Sequence, residues 1–364
     1  MVFLKSRYYP FALALFAAIL FGASAPLAKI LLNELDAIPM AGLLYIGSGL
    51  GAVFLLWLDR RRYNGQSREA HLTRAEFPWL MGALVAGGVA APIILLLGLQ
   101  STPASTASLL LNFECVATTL IAVLAFKEAV DGRIWWAVGL ITLASILLTW
   151  NADGGWGVSL GALGILAACF LWGLDNNFTR HISGKNPLMI VAVKGLGAGT
   201  FSLVLSLMLG KTLPSLVPAL MAMVLGAFSY GLSIYLFILA MRSLGSARTS
   251  ALFGVAPFVG ALLSIVLLRE MPEGLFWISL PIMALGTWLM LSENHVHHHV
   301  HELAEHVHAH SHPDDHHDHD HLSDIPLVNG VHAHTHQHEK LVHSHPHTPD
   351  LHHRHAHEVV GETS

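Results

Sequence analysis

The chain has 364 residues, of which 54% are hydrophobic and only 12% charged, and its mean hydropathy is +0.57. Soluble globular domains carry about 25% charged residues, so an ordinary cytosolic enzyme, a nucleic-acid binder and a disulfide-stapled secreted domain are excluded. Residues 295–364 hold 24 of the 26 histidines and sum to −9 with histidine neutral, whereas residues 1–294 sum to +4. Two compositions, suited to two solvents, are joined near residue 294.

A bilayer-spanning helix needs roughly 20 mostly apolar residues. Apolar runs between charged or turn-rich breaks predict ten: 10–32, 40–58, 78–98, 105–126, 134–150, 158–180, 187–209, 216–240, 249–268 and 275–292. The first has a basic start and an Ala23-Ser24-Ala25 stretch resembling a leader cleavage site. Its apolar run continues beyond Pro26, so it is read as a retained span. Pro26, Pro92 and Pro257 lie inside runs, which a membrane bundle tolerates when neighbouring helices satisfy the freed backbone groups. Glycine-rich stretches (Gly47 to Gly51, Gly195 to Gly199) permit close helix approach, within one bundle or in a homodimer. Cys115 and Cys169 both fall in apolar runs and read as small buried hydrophobes.

With the N-terminus cytoplasmic, that side collects 13 Lys and Arg residues, including Arg60, Arg61, Arg62, Arg180 and Lys185. The opposite side has only Lys211 and Arg269. This asymmetry predicts that both termini are cytoplasmic. Localisation in a bacterial inner membrane is the matching expectation.

The halves also repeat. At an offset of 142, Ser101 falls on Ser243, Ser108 on Ser250, Leu120 on Leu262, Glu128 on Glu270 and Trp135 on Trp277. At an offset of 151, Gly22 falls on Gly173, Phe21 on Trp172 and Lys29 on Arg180. An odd number of spans per half makes equivalent spans cross in opposite directions, an inverted repeat with a midplane site. The predicted architecture is an all-α polytopic membrane protein of ten transmembrane helices. Its parts are a first five-helix repeat (1–152), a second five-helix repeat (153–294) and a disordered tail (295–364).

Three segments carry a resemblance: Phe21-Gly22-Ala23-Ser24-Ala25-Pro26-Leu27-Ala28-Lys29, Phe170-Leu171-Trp172-Gly173, and Ala240 through Ala247 leading into Ala256-Pro257 and Arg269-Glu270. On these the chain resembles an EamA-type member of the drug/metabolite transporter superfamily, over about residues 10–292. The resemblance implies small organic metabolites or amphiphiles as substrates. The first half departs from it, with Glu114-Cys115 where the second has Ala256-Pro257. The tail lies outside it.

Ionisable residues inside spans are costly and mark pathways, relays or buried partners. Glu114 sits mid-span, with Asn112 before it and Thr118 one turn on, and reads either as a coupling carboxylate or as a structural one. Asp175 in the sixth span, followed by Asn176, is the second acidic candidate, or else a carboxylate hydrated near the cytoplasmic end. Lys194 pairs with an acid, attracts an anion or snorkels to the interface. Lys29, near the outer end of the first span, reads as functional or as snorkelling. Glu128 and Glu270 recur at equivalent span ends and read as groups that fix helix ends or hairpins.

In the tail, His-x-His repeats replace hydrophobic periodicity: His297, His299 and His301; His308, His310 and His312; His317, His319 and His321; His332, His334, His336 and His338; His353, His355 and His357. Neutral imidazole suits zinc, nickel and cobalt(II). The expectation is therefore a metal-binding cytoplasmic tail, with no cofactor required elsewhere and no enzyme activity, since no nucleophile–base set or cofactor fingerprint is visible. The functional expectation is a proton-coupled exporter of small solutes in the lipid bilayer, without nucleic-acid partners. The alternatives are a nickel, cobalt or zinc efflux transporter and a membrane-anchored metal sensor or buffer. Titration of the 295–364 peptide with Zn²⁺ or Ni²⁺ at pH 7 is expected to show micromolar or tighter binding.

Overall fold

The computed structural model describes residues 9–62, 70, 72–127, 130, 132–151, 157–182, 184–212, 214–244, 249, 252–272 and 274–291, plus the backbone of four tail segments. In chain order the helices are α1 (Tyr9–Gly22), α2 (Ser24–Leu31), α3 (Ala37–Arg62), α4 (Phe77–Ala83), α5 (Ala91–Ser101), α6 (Ala104–Leu110), α7 (Phe113–Phe126) and α8 (Gly132–Thr149). They continue as α9 (Leu160–Ile182), α10 (Pro187–Met208), α11 (Leu216–Leu225), α12 (Ser233–Leu244), α13 (Ala256–Leu268) and α14 (Gly274–Leu291). Several of these join end to end. Among the described residues, eight combined helices are long and apolar enough to cross a membrane, and two more, Ala256–Leu268 and Gly274–Met290, are shorter and apolar. The protein is an integral membrane protein.

The uninterrupted runs of the sequence conceal breaks. The first span turns at Ala23, between α1 and α2, and the fourth at Leu111 and Asn112, between α6 and α7. Two other spans contain a π-helical turn, Leu84–Ala90 between α4 and α5 and Gly226–Leu232 between α11 and α12. The two turns are related by the offset of 142 seen in the sequence. So are Lys127 and Arg269, which close α7 and α13 in the left-handed region at φ 54° and 53°. A non-glycine residue there costs about 1–2 kcal/mol, so both helices are stopped at a defined place rather than allowed to fray.

Large apolar side chains face outward as well as inward. Phe54, Trp136, Phe201, Met208 and Trp288 are all exposed, as lipid-facing residues of a bundle should be. The core runs through α3, α5, α6, α9 and α14, with Met40, Leu44, Leu96, Leu109, Ile165 and Met283 fully buried. α3 lies at its centre. A Cβ at Gly47 would sit 1.9 Å from the Met223 carbonyl oxygen, and one at Gly226 would sit 1.9 Å from that of Leu44. Glycine at these two positions lets α3 cross the α11 span with backbones in contact.

Two departures from the all-α expectation occur. Trp150–Asn151 pairs antiparallel with Gly157–Val158 as strands β1 and β2. In the tail, expected to be disordered, the backbone of β3 (His295–Val300) pairs with β6 (Val342–His347), and β4 (Ala304–Ser311) with β5 (Val331–His338). His-x-His alternation has the period of two that a strand requires; two-stranded ribbons on their own are marginal in water.

Replacing Gly47 by alanine should force α3 off the α11 span. A loss of about 1–3 kcal/mol, read as a lower thermal unfolding midpoint of the purified protein, is expected.

Candidate functional site

α9 positions most of the polar centre. Its residues 172–179 present Trp172, Asp175, Asn176 and Thr179 over two turns, against α7, α10, α3 and the first π-helical turn. Lys194 of α10 contacts both carboxylate oxygens of Asp175, at 2.6 and 2.7 Å. Thr179 donates to the same carboxylate at 2.8 Å. Asp175 is therefore neutralised in place.

Glu114, on the first turn of α7, is held differently. Its Oε1 accepts a hydrogen bond from Asn176 Nδ2 at 2.8 Å, and the same amide donates to Thr118 Oγ1 at 3.2 Å. Asn177 fixes the helix pair by donating to the Thr118 and Gly173 carbonyl oxygens at 3.1 and 2.8 Å. Glu114 forms no ion pair among the described residues. With Lys194 matched to Asp175, the centre retains one unmatched carboxylate, and that carboxylate is Glu114.

Aromatic groups cluster beside the first π-helical turn. Tyr45 of α3 and Trp172 both donate to the Gly87 carbonyl oxygen, at 2.6 and 3.1 Å. Phe21 packs edge-on against Trp172 and Tyr230, with centroids 6.4 and 5.9 Å apart, and Tyr45 lies 5.8 Å from Tyr230. The centre thus draws on both halves of the chain.

Of the six candidates read from the sequence, the structure brings together Glu114, Asp175, Asn176 and Lys194. The other two lie elsewhere. Asn112, buried at the α6–α7 break, accepts a long 3.5 Å hydrogen bond from Thr287 of α14. Lys29 donates to the carbonyl oxygens of Leu99, Gln100 (3.1 Å) and Thr102 (3.0 Å). It caps the C-terminus of α5, where a cation complements unpaired carbonyls and the helix dipole. Glu270 completes this arrangement by accepting the backbone N–H groups of Ala104 and Ser105, both at 2.8 Å. A residue of the second half thereby caps a helix of the first. Glu128 lies outside the described residues.

Among residues whose side chains are described, no three histidine, cysteine, aspartate or glutamate groups come together to hold a metal. Both cysteines are free. Of the tail histidines, His301, His312, His317, His319, His321, His353, His355 and His357 lie outside the described residues. His297, His299, His308, His310, His332, His334, His336 and His338 are described by backbone alone.

The EamA-like transporter family matches this chain twice, over residues 9–150 and 159–292. The chain belongs to that family. An uncharacterized transporter of Methanothermobacter thermautotrophicus is 30% identical over 291 residues, covering 75% of this chain and 83% of its own length. The probable 4-amino-4-deoxy-L-arabinose-phosphoundecaprenol flippase subunit ArnE of Pectobacterium atrosepticum is 37% identical over 79 residues, 22% of this chain and 69% of that one. A solved crystal structure matches with a TM-score of 0.57 over 78% of this chain and 96% of its own, at 19% identity, a likeness of fold. Membrane transport by a drug/metabolite-type transporter is the general activity these matches support.

Sequence reasoning missed Tyr45, Trp172 and Gly87 as a hydrogen-bonded set. The one legible signal was Pro92, five residues after Gly87, which removes a backbone donor. In this EamA-family protein the Glu270 cap should be a measurable share of stability. Glu270→Ala leaves two N–H groups without their acceptor, at about 1–3 kcal/mol each. Its thermal midpoint should fall accordingly, and Glu270→Asp should recover part of the loss.

Proposed function

We propose that the protein is a proton-coupled secondary transporter that exports small solutes by rocking two inverted five-helix repeats, 1–152 and 153–294, around the polar centre. Ten spans with both termini cytoplasmic complete this reading, supported by the distribution of Lys and Arg and by the features recurring at an offset of 142. The observation that carries it is the contrast between the two acids of the polar centre. Asp175 is matched by Lys194, whereas Glu114 accepts a hydrogen bond from an amide and forms no ion pair among the described residues. A carboxylate of this kind can take up a proton when the site is empty and give it up when a cationic or donor-bearing solute arrives. Exchange of the two at one group couples their movement in opposite directions.

The histidine tail adds a metal-responsive element on the cytoplasmic side. A second reading, efflux of nickel, cobalt or zinc, takes its support from the 24 tail histidines. The polar centre offers such an ion a single unmatched carboxylate and no described imidazole or thiolate ligand set, so small solutes are the better fit.

Purified protein in liposomes is expected to move a solute from an amino-acid, amine and divalent-metal panel in response to a pH gradient. Glu114→Gln should remove the pH dependence, while Asp175→Asn should mainly lower stability by leaving Lys194 unpaired. Gradient-driven transport that persists in Glu114→Gln would overturn the coupling assignment. Truncation after residue 294 should leave basal transport intact and abolish any response to Zn²⁺.

A further inference from the structure

The Gly87 carbonyl occupies an unusual position in the backbone bonding of its span. Within the first π-helical turn, the Ala91 N–H bonds the Ala86 carbonyl five residues back. The next donor in that series, for Gly87, would be residue 92. Residue 92 is proline and has no N–H, while the Ala91 N–H is already taken. Gly87 therefore has no backbone donor within its helix. Inside a membrane such a group must be satisfied by another part of the protein. The Tyr45 hydroxyl and the Trp172 indole do so, at 2.6 and 3.1 Å, and both residues are buried.

The same turn touches the charged pair. A Cβ on Gly87 would lie 1.9 Å from Asp175 Oδ2, so this glycine admits the carboxylate that Lys194 holds. Trp172 stands on α9 one turn before Asp175 and Asn176. Any solute or proton that displaces the Lys194–Asp175 pair or the Glu114–Asn176 bond thus acts on the helix that carries one of the two donors to Gly87.

The other end of this span is also held. α5 continues from the turn for 11 residues, about 16 Å at 1.5 Å per residue. It ends where Lys29 caps its last carbonyls and Glu270 caps the start of α6. The span is therefore pinned twice, once at the polar centre and once at the end remote from Arg60 to Arg62.

We propose that Tyr45 and Trp172 are positioning residues that latch the π-helical turn through the Gly87 carbonyl, and that releasing this latch opens the Lys29–Glu270 clamp. A π-helical turn is a strained register that recurs at functional sites. Its conversion towards α-helical bonding rotates α5 relative to α4 by up to about 100°, the angle of one residue. α5 cannot rotate in this way while Lys29 holds the carbonyls at its end, so latch and clamp are coupled through a rigid helix. The proposal rests on the alternating-access reading above, but its test needs no solute and so stands or falls separately.

The test uses the full-length protein in nanodiscs, with Cys115 and Cys169 replaced by alanine and Ser105→Cys introduced as a reporter. Ser105 is fully buried beneath the clamp, so maleimide should label it slowly. Tyr45→Phe and Trp172→Phe each remove one donor to Gly87. Their combination should raise the labelling rate roughly tenfold or more, the scale set by a buried carbonyl that loses its donors. Adding Pro92→Ala restores a backbone N–H for Gly87 and should bring the rate back towards that of the parent. A purely structural role would lower the thermal midpoint and leave labelling unchanged. That result, or faster labelling that Pro92→Ala does not reverse, overturns the proposal. Should the double variant fail to fold, the single variants apply the same criterion, each expected to label faster and to be rescued by Pro92→Ala.

Discussion

Inside a bilayer there is no water to satisfy a stray carbonyl or ammonium group, and each unsatisfied group costs several kcal/mol. The interior of this transporter is organised by that constraint. Lys194 and Asp175 neutralise one another. Lys29 lies against the open carbonyls of α5, and Glu270 takes the open N–H groups of α6. These contacts join segments far apart in sequence, so the same bonds that satisfy polar groups also fix which helix ends stay together. The glycine crossings of α3 supply the other half of the constraint: they allow the bundle to close tightly enough for short polar contacts to form.

Among the acids of this interior, Glu114 stands apart because it has no ionic match among the described residues. Glu114 has one amide partner, and its counterpart at the offset of 142 is Ala256. The two halves share their π-helical turns and left-handed helix stops but not this acid. The two halves thus differ in charge at this position. Removing the charge at Glu114 therefore alters one half of the protein and leaves no equivalent in the other to compensate.

The apolar runs alone located the long helices to within a few residues; the predicted span 187–209 and observed α10 (Pro187–Met208) agree closely. The breaks were not legible. Hydropathy does not distinguish an α-helical turn from a π-helical one, because both bury the same side chains in lipid or protein. Lys29 shows a second limit. Its sequence context, a lone lysine near the outer end of an apolar run, fits a snorkelling residue more readily than a transport one. Only the packing of α5 against α2 reveals the helix-capping role. Glu270 was readable as a helix-end group, but the helix it caps belongs to the other half, a pairing that no local pattern encodes. Glu114, Asp175, Asn176 and Lys194 were legible because ionisable and amide side chains are rare in these spans. Their division into a matched pair and an unmatched acid was not, since pairing depends on how α7, α9 and α10 cross.

The latch adds an asymmetry that bears on the resting state. At the position equivalent to Pro92 the second half has Ile234, which retains its N–H. The second π-helical turn can satisfy its carbonyls from its own backbone, whereas the first depends on two side chains from other helices. Two turns with the same geometry are thus stabilised differently: one by local bonding, the other by the arrangement of the polar centre. A change at that centre, such as protonation of Glu114 or arrival of a solute, alters the support of the first turn and leaves the second untouched. If the two halves exchanged conformations with equal energies, neither membrane face would be favoured. With one turn tied to the site and the other independent of it, the occupancy of the site would, in the proposed coupled mechanism, bias which face opens.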